Sequence, residues 1–334
     1  MVFAVLLTVW TDGGIPGPGL GPFQWIDFFA GKAEATKAFQ RRGYKTARLD
    51  INYMDRATGS NPMDLLTDAG FGLAIATCLM GDETGFVCHF GLKCSTFSTV
   101  NAATSGRSPC TAIGNIHYRS VDEGNVLASR VMLLMILVVC LNGTVVLEQP
   151  AESFLQYYPR FREFICLLQQ SGGQHAVQRV TWFMATYGGP TPKRHVAYSN
   201  SPAIQSLYKG ALTVWAKHVQ SQDAAGIDRV RTVKKYIDKE GKQRFKGDKG
   251  LRPSENYPPQ FGEKLASMFE NLVTQKLGMP ALPSPLPSAE QCFSQMTFSD
   301  MWQDANMASV CHWLRGGKGL LIPSTFRPLL PEKL

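Results

Sequence analysis

The sequence predicts an α/β protein on a doubly wound, mostly parallel sheet, with a small basic β-hairpin region and a C-terminal helical appendage. Three observations carry this reading. Short apolar runs alternate with helix-like stretches through residues 23–200, the pattern of parallel strands joined by crossover helices on both faces. Chemistry-bearing side chains recur just past the expected strand ends, where open α/β sheets bind ligands. Residues 229–252 then break the pattern: ten Lys or Arg face three acids, so this stretch holds +7 of the chain's net +8.

The elements follow in order. Residues 23–29 form an apolar strand, Ala30-Gly31 a turn, residues 32–42 a helix stopped by Gly43, and residues 45–49 a second strand ending at Asp50. Strand, glycine turn, helix, strand and acid within about 30 residues is the unit that holds nucleotide-like ligands: the turn lets backbone approach the ligand and the acid takes ribose hydroxyls. Residues 64–80 read as a helix and 85–90 as a strand leading to Cys94. A Gly/Ser/Thr-rich loop spans 95–108. Residues 124–141 read as a long helix, 144–147 as a buried strand ending at Glu148-Gln149-Pro150, and 161–170 as a helix. Residues 178–184 and 195–199 are strands on either side of a Gly-Pro turn. Residues 236–242 (YIDKEGK) read as a hairpin whose loop ends in glycine. Residues 265–277 are an amphipathic helix, 280–287 a proline-stiffened linker, and 299–314 a helix followed by an apolar tail. The expected organisation is a flexible leader at 1–22, a main domain at 23–200, a basic insertion at 201–262, a helix returning to the core at 263–279, and a linker with a terminal segment at 280–334.

Composition narrows the class. With 334 residues, 44% hydrophobic and 18% charged, the chain has enough apolar material for a large core, which excludes full disorder. Gly and Pro are plentiful, yet no three-residue repeat makes it collagen-like. Eight cysteines without CxxC spacing are not a disulfide scaffold. They read as free thiols in a reducing compartment, giving an intracellular expectation of nucleus or cytoplasm. Cys88-His89 with Cys94, and Cys311-His312, lack partner pairs at zinc spacing, so no metal is expected. Residues 1–10 are apolar but have no basic n-region, a weak sign of a signal peptide. The apolar run at 131–141 is too short to cross a bilayer, so no membrane partner is expected.

The candidate residues also stand in a known order. Asp27-Phe28-Phe29-Ala30-Gly31 resembles the first motif of the cytosine-5 DNA methyltransferases, and Asp50 falls at that family's ribose acid. Asp64-Leu65 resembles its Asp-Ile step near the adenine. Lys93-Cys94-Ser95-Thr96-Phe97-Ser98 resembles the nucleophile motif Pro-Cys-x-x-Phe-Ser, and Leu147-Glu148-Gln149 the Glu-Asn motif. Residues 187–193 resemble Tyr-Gly-x-Pro-Gln-x-Arg, and Gln260-Phe261-Gly262 the last motif. The resemblance covers about residues 23–200, extending towards 275, and is to a divergent branch of the kind met in unicellular algae. It implies a class I methyltransferase-like fold and S-adenosylmethionine as cofactor, bound by Asp27, Phe29, Gly31, Asp50 and Asp64. It implies Cys94 and Glu148 as catalytic residues and Lys193 and His195 as substrate-binding. The hairpin cations Lys234, Lys235, Lys242, Arg244 and Lys246 lie where the family inserts its target-recognition segment, so nucleic acid, DNA more than RNA, is the expected partner.

In that chemistry a thiolate from Cys94 adds to C6 of a pyrimidine and makes C5 nucleophilic. Lys93 stabilises the thiolate if its side chain points inward, and a protonated Glu148 relieves charge building on N3. The base must leave the duplex first. Each residue has a plainer reading too. Cys94 suits a small buried filler. Glu148 suits a helix cap or a ribose ligand, Gly31 an ordinary tight turn, and His195 a structural role. The hairpin suits a merely solvated charge run. Several residues depart from the family pattern: Lys93 for proline, Gln149-Pro150 for Asn-Val, Thr191 for glutamine, His195 for a second arginine, and Ala33 where glycine is common. These favour an alternative, a catalytically silent nucleic-acid-binding module on the same scaffold. Methyl transfer to RNA or protein is a third reading, which fold alone does not separate from the others.

Overall fold

The structure, a computed structural model, describes residues 22–53, 63–211, 233–247 and 255–275. The expected leader apart from Pro22, the proline-rich linker and the terminal segment lie outside the described residues, as does the C-terminal end of the helix expected at 265–277.

The body is an α/β fold around a mixed six-stranded sheet. Its strands are β1 (Trp25–Phe28), β2 (Thr46–Leu49), β3 (Val87–Phe90), β4 (Thr144–Pro150), β5 (Gln178–Phe183) and β6 (Arg194–Ser199), in the order β2-β1-β3-β4-β6-β5. The helices are α1 (Glu34–Arg41), α2 (Asp68–Leu79), a single turn α3 (Ala102–Ser105), α4 (Arg119–Cys140), α5 (Pro159–Gly172), α6 (Pro259–Ser267) and α7 (Phe269–Thr274). Local chemistry explains several boundaries. Thr67 caps α2 by accepting from the Gly70 N–H at 3.0 Å. Pro159 opens α5, where a missing N–H costs nothing, and Gly173 closes it. The helix expected at 265–277 instead begins at Pro259 and is interrupted at Met268.

The first four strands are mutually parallel, but β6 runs antiparallel to both β4 and β5. The expectation of a mostly parallel sheet is therefore corrected at this edge. The β5–β6 connection is too short for a parallel crossover, which needs a dozen or more residues, so the chain turns back directly. Pairing with β6 also lengthens β4: Glu148 lies opposite Ala197 and Pro150 opposite His195. Glu148 is thus inside a strand rather than just beyond one.

Side chains alternate across this sheet into two cores. Ile26, Phe28, Val145 and Leu147 face Phe71 and Ile75 of α2, Leu134 and Val138 of α4, and Phe164 of α5. Trp25, Val87, Val146 and Ala197 face the other way, with Ala38 and Phe39 of α1, Phe261 and Leu265 of α6, and Leu272 of α7. Among the described residues, α4 is the one helix long and apolar enough to span a bilayer. Its Leu127, Val131, Leu134 and Val138 are buried in the first core. Gly262 brings α6 hard against α1; a Cβ there would lie 2.6 Å from the Glu34 carbonyl oxygen.

The basic stretch forms the expected hairpin. β7 (Val233–Ile237) and β8 (Gln243–Gly247) pair antiparallel, with Lys234 opposite Lys246 and Tyr236 opposite Arg244. Asp238 organises the loop by accepting from the backbone N–H groups of Glu240 and Lys242, and Gly241 takes the left-handed conformation at φ +77°.

Candidate active site

The chain steps from β1 to β2 on one side, then crosses to β3 on the other side of β1. The crossovers that leave β1 and β3 therefore diverge at the carboxyl ends of those strands, the place where open α/β sheets bind ligands. Two groups of candidate residues lie at this end of the sheet.

The first is the turn after β1. Phe29, Gly31 and Ala33 all have left-handed φ values, +60°, +54° and +54°. Ala33, where a glycine was expected, holds the conformation glycine favours. Backbone in this region is strained for residues with a Cβ, and such strain concentrates at functional turns. The Gly31 N–H donates to Asp50 Oδ2 at 2.7 Å, and Asn52 donates to Oδ1 through its backbone at 2.8 Å and its side chain at 2.7 Å. The Tyr53 hydroxyl donates to the Gly31 carbonyl at 2.8 Å. Open space surrounds the Cα hydrogens of Gly31, since an added Cβ would meet nothing within 4 Å. Gly31 and Asp50 are thus brought together as a turn with an acid at its side.

The second group gathers Cys94, Glu148, Lys193, His195 and Tyr257. Glu148 is buried in β4, and both carboxylate oxygens are engaged: Oε1 with His195 Nδ1, and Oε2 as acceptor from the Tyr257 hydroxyl at 2.6 Å. Burial alone would raise its pKa. His195, Lys193 and the Tyr257 hydrogen bond outweigh burial and hold the carboxyl at about 2. Cys94 is half-buried in the loop after β3. Burial pushes its thiol above the ordinary value, the Lys193 ammonium draws it down, and Glu148 and Glu255 push it up again. The same cation therefore acts on both Cys94 and Glu148. Lys93 is exposed, so the expected thiolate partner is corrected: the cation whose field reaches the sulfur is Lys193. Gln149, in place of asparagine, donates to the Leu92 carbonyl at 2.6 Å and ties the Cys94 loop to β4.

The remaining candidates separate from these. Asp27 is buried beneath α1; Oδ2 accepts from Thr36 Oγ1 at 2.8 Å and Oδ1 meets His89 Nδ1 at 2.9 Å. It fastens α1 and β3 to β1. Asp64 forms a turn before α2, its Oδ1 accepting from the Leu66 N–H at 2.9 Å. Lys234, Lys235 and Lys242 are exposed on the hairpin, and Arg244 and Lys246 are placed by β8. His195 stacks on Trp182 with ring centres 5.8 Å apart.

Sequence reasoning missed three residues here. Tyr257 carries no motif, and His89 draws notice in the sequence only as a zinc candidate beside Cys88. Arg107 is buried in the loop after Cys94, where it donates to Thr96 Oγ1 at 3.2 Å and Asn125 Oδ1 at 2.9 Å and lies over the Phe97 ring. Burial lowers the Arg107 guanidinium to about 10. Gly124 makes room for it, since a Cβ there would lie 2.6 Å from Thr96 Oγ1. The one available signal was this glycine inside an otherwise helical run.

Among the described residues, no group of three or more His, Cys, Asp or Glu is placed to hold a metal ion. Cys88 and His89 are adjacent in a strand and so point to opposite faces. No family model, curated protein or solved structure matches the chain.

Proposed function

We propose that the protein is an S-adenosylmethionine-dependent methyltransferase resembling the cytosine-5 class, on a doubly wound, class I methyltransferase-like fold. The observation that carries the reading is the convergence of Cys94, Glu148 and Lys193 at the same end of the sheet as the Gly31–Asp50 turn. Two features support the cofactor: the space beside the Gly31 Cα would admit a ligand, and the Asp50 oxygens, which already accept from Gly31 and Asn52, would use their remaining lone pairs for ribose hydroxyls. S-adenosylmethionine would supply an electrophilic methyl group on a sulfonium. The chain's own residues would supply the rest. Lys193 would favour the Cys94 thiolate. That thiolate would add to the ring carbon of a pyrimidine and leave again once the neighbouring carbon had gained the methyl and lost its proton. Glu148 would orient the ring through hydrogen bonds. The hairpin of β7 and β8 would grip the phosphate backbone of a nucleic acid, DNA more than RNA, in nucleus or cytoplasm.

Calorimetry tests the cofactor half: binding in the micromolar range is expected, with loss on Asp50→Ala. Trapping on a 5-fluorocytosine oligonucleotide tests the nucleophile; a covalent adduct is expected, absent in Cys94→Ser. An adduct that persists in that variant overturns the role of Cys94.

One observation favours the silent binding module instead. At rest the thiol is held protonated and the carboxyl ionised, the reverse of what addition requires. Oligonucleotide binding that falls steeply with salt and ignores the cofactor would select this second reading.

A further inference from the structure

Tyr257 belongs to no motif, yet its hydroxyl reaches the centre of the candidate site from just before α6. It donates to Glu148 Oε2 at 2.6 Å, its ring meets the edge of His89 at 5.5 Å, and it packs against Phe261 at 5.1 Å. Gly91, three residues before Cys94, is shaped around the same oxygen: a Cβ there would lie 2.8 Å from the Tyr257 hydroxyl, with the next atom outside that side chain at 3.5 Å. The tyrosine thus touches both the strand that carries Glu148 and the loop that carries Cys94.

We propose that Tyr257 is a positioning residue of this site, which together with His195 fixes Glu148 as a doubly held hydrogen-bond acceptor beside Cys94. A purely structural tyrosine would need only some partner for its buried hydroxyl. Here the partner is the buried carboxylate that also engages His195, and among the described residues no other hydrogen-bond donor holds its second oxygen. The charged or titratable groups around the pair come from several elements, with His89 of β3 against the tyrosine ring. His195 comes from β6, Lys193 from the turn before it, Cys94 from the loop after β3, and Asp27 from β1 acts on the tyrosine. Only Tyr257 and His195 donate to the carboxylate among the described residues. The reaction that Glu148 would serve rests on the methyltransferase reading; the hold on Glu148 does not.

The test is a titration of the intact protein labelled with 13C at the glutamate carboxyl, with Glu148→Gln used to assign the signal. Tyr257→Phe keeps the ring and removes the donor, so the Glu148 midpoint should rise by about one pH unit or more. Gly91→Ala should reproduce the rise by pushing the hydroxyl away from Oε2. Replacing all tyrosines with 3-fluorotyrosine, a stronger donor of nearly the same shape, should move the midpoint down. This arm also decides the matter if either substituted protein fails to fold. A midpoint that stays within about 0.2 units in these proteins overturns the proposal. The readout is independent of activity. A shifted midpoint in a protein that binds no S-adenosylmethionine would keep Tyr257 and remove the methyltransferase reading. An unmoved midpoint in a protein that binds it would do the reverse.

Discussion

Two buried carboxylate–imidazole pairs sit on one face of the same sheet, and their surroundings differ. Asp27 and His89 lie side by side on β1 and β3, under α1, with the second Asp27 oxygen taken by Thr36. Glu148 and His195 lie on β4 and β6 nearer the carboxyl end of the parallel strands, with Lys193, Cys94 and Tyr257 around them. In both pairs the imidazole Nε2 is buried with no hydrogen-bond partner among the described residues. Tyr257 stands between them, its ring against His89 and its hydroxyl on Glu148. The same pair of functional groups thus serves two ends. The pair in mid-sheet joins β1, β3 and α1, whereas the pair nearer the strand ends has a thiol and an ammonium beside it, the surroundings that the proposed chemistry would use. Distance along the strand, not residue type, separates the two.

The largest effects should fall near the strand ends. Cys94→Ser should reduce methyl transfer by on the order of 10⁴-fold or more, and Glu148→Gln by about 10²–10⁴-fold, measured in single-turnover assays. Cofactor affinity should stay within about twofold in both. Equal losses from Asp27→Asn, in protein shown to be folded, would erase the distinction between the pairs. Removing one partner of the mid-sheet pair should act on stability instead. Asp27→Ala leaves His89 without its carboxylate and should cost about 3–5 kcal/mol, read from the midpoint of urea unfolding.

A pH series sharpens the contrast. The Glu148 carboxyl has its folded pKa drawn down from 4.5 to about 2. Its contribution to stability is therefore complete above the unfolded value and is lost as pH falls through the folded one. The stability gap between wild type and Glu148→Gln should close between about pH 4.5 and 2, as followed by urea unfolding at each pH. A gap that is constant across that window would mean the carboxyl is not held ionised. The smallest effect concerns the hairpin. Lys234→Ala should lower the salt slope of oligonucleotide binding by about 1 without altering cofactor binding.

Much of the frame was legible from local pattern. The strand, glycine turn, helix, strand and acid of residues 25–50 were legible because every member is close in sequence, and the structure adds the bond from the Gly31 N–H to Asp50. The hairpin was legible for the same reason: Asp238 and Gly241 make its loop within a few residues. The site itself was legible only in part. That Lys193 rather than Lys93 serves Cys94 depends on β6 turning back beside β4, a long-range pairing that no local period encodes. Asp27 looked like a cofactor ligand by its place in a motif. Its inward direction follows from the alternation of β1 and from His89, which is 62 residues away. Tyr257 was invisible because its partner is 109 residues upstream.

The close seating of Gly262 on the Glu34 backbone has a consequence for how the chain is made. The first crossover helix emerges from the ribosome more than two hundred residues before the segment that covers it. Until then Ala38 and Phe39 have no α6 to pack against, and the part of the second core that α6 and α7 supply is missing. A chain that ends ahead of residue 259 should therefore expose this apolar flank and aggregate more readily than one that includes α6 and α7.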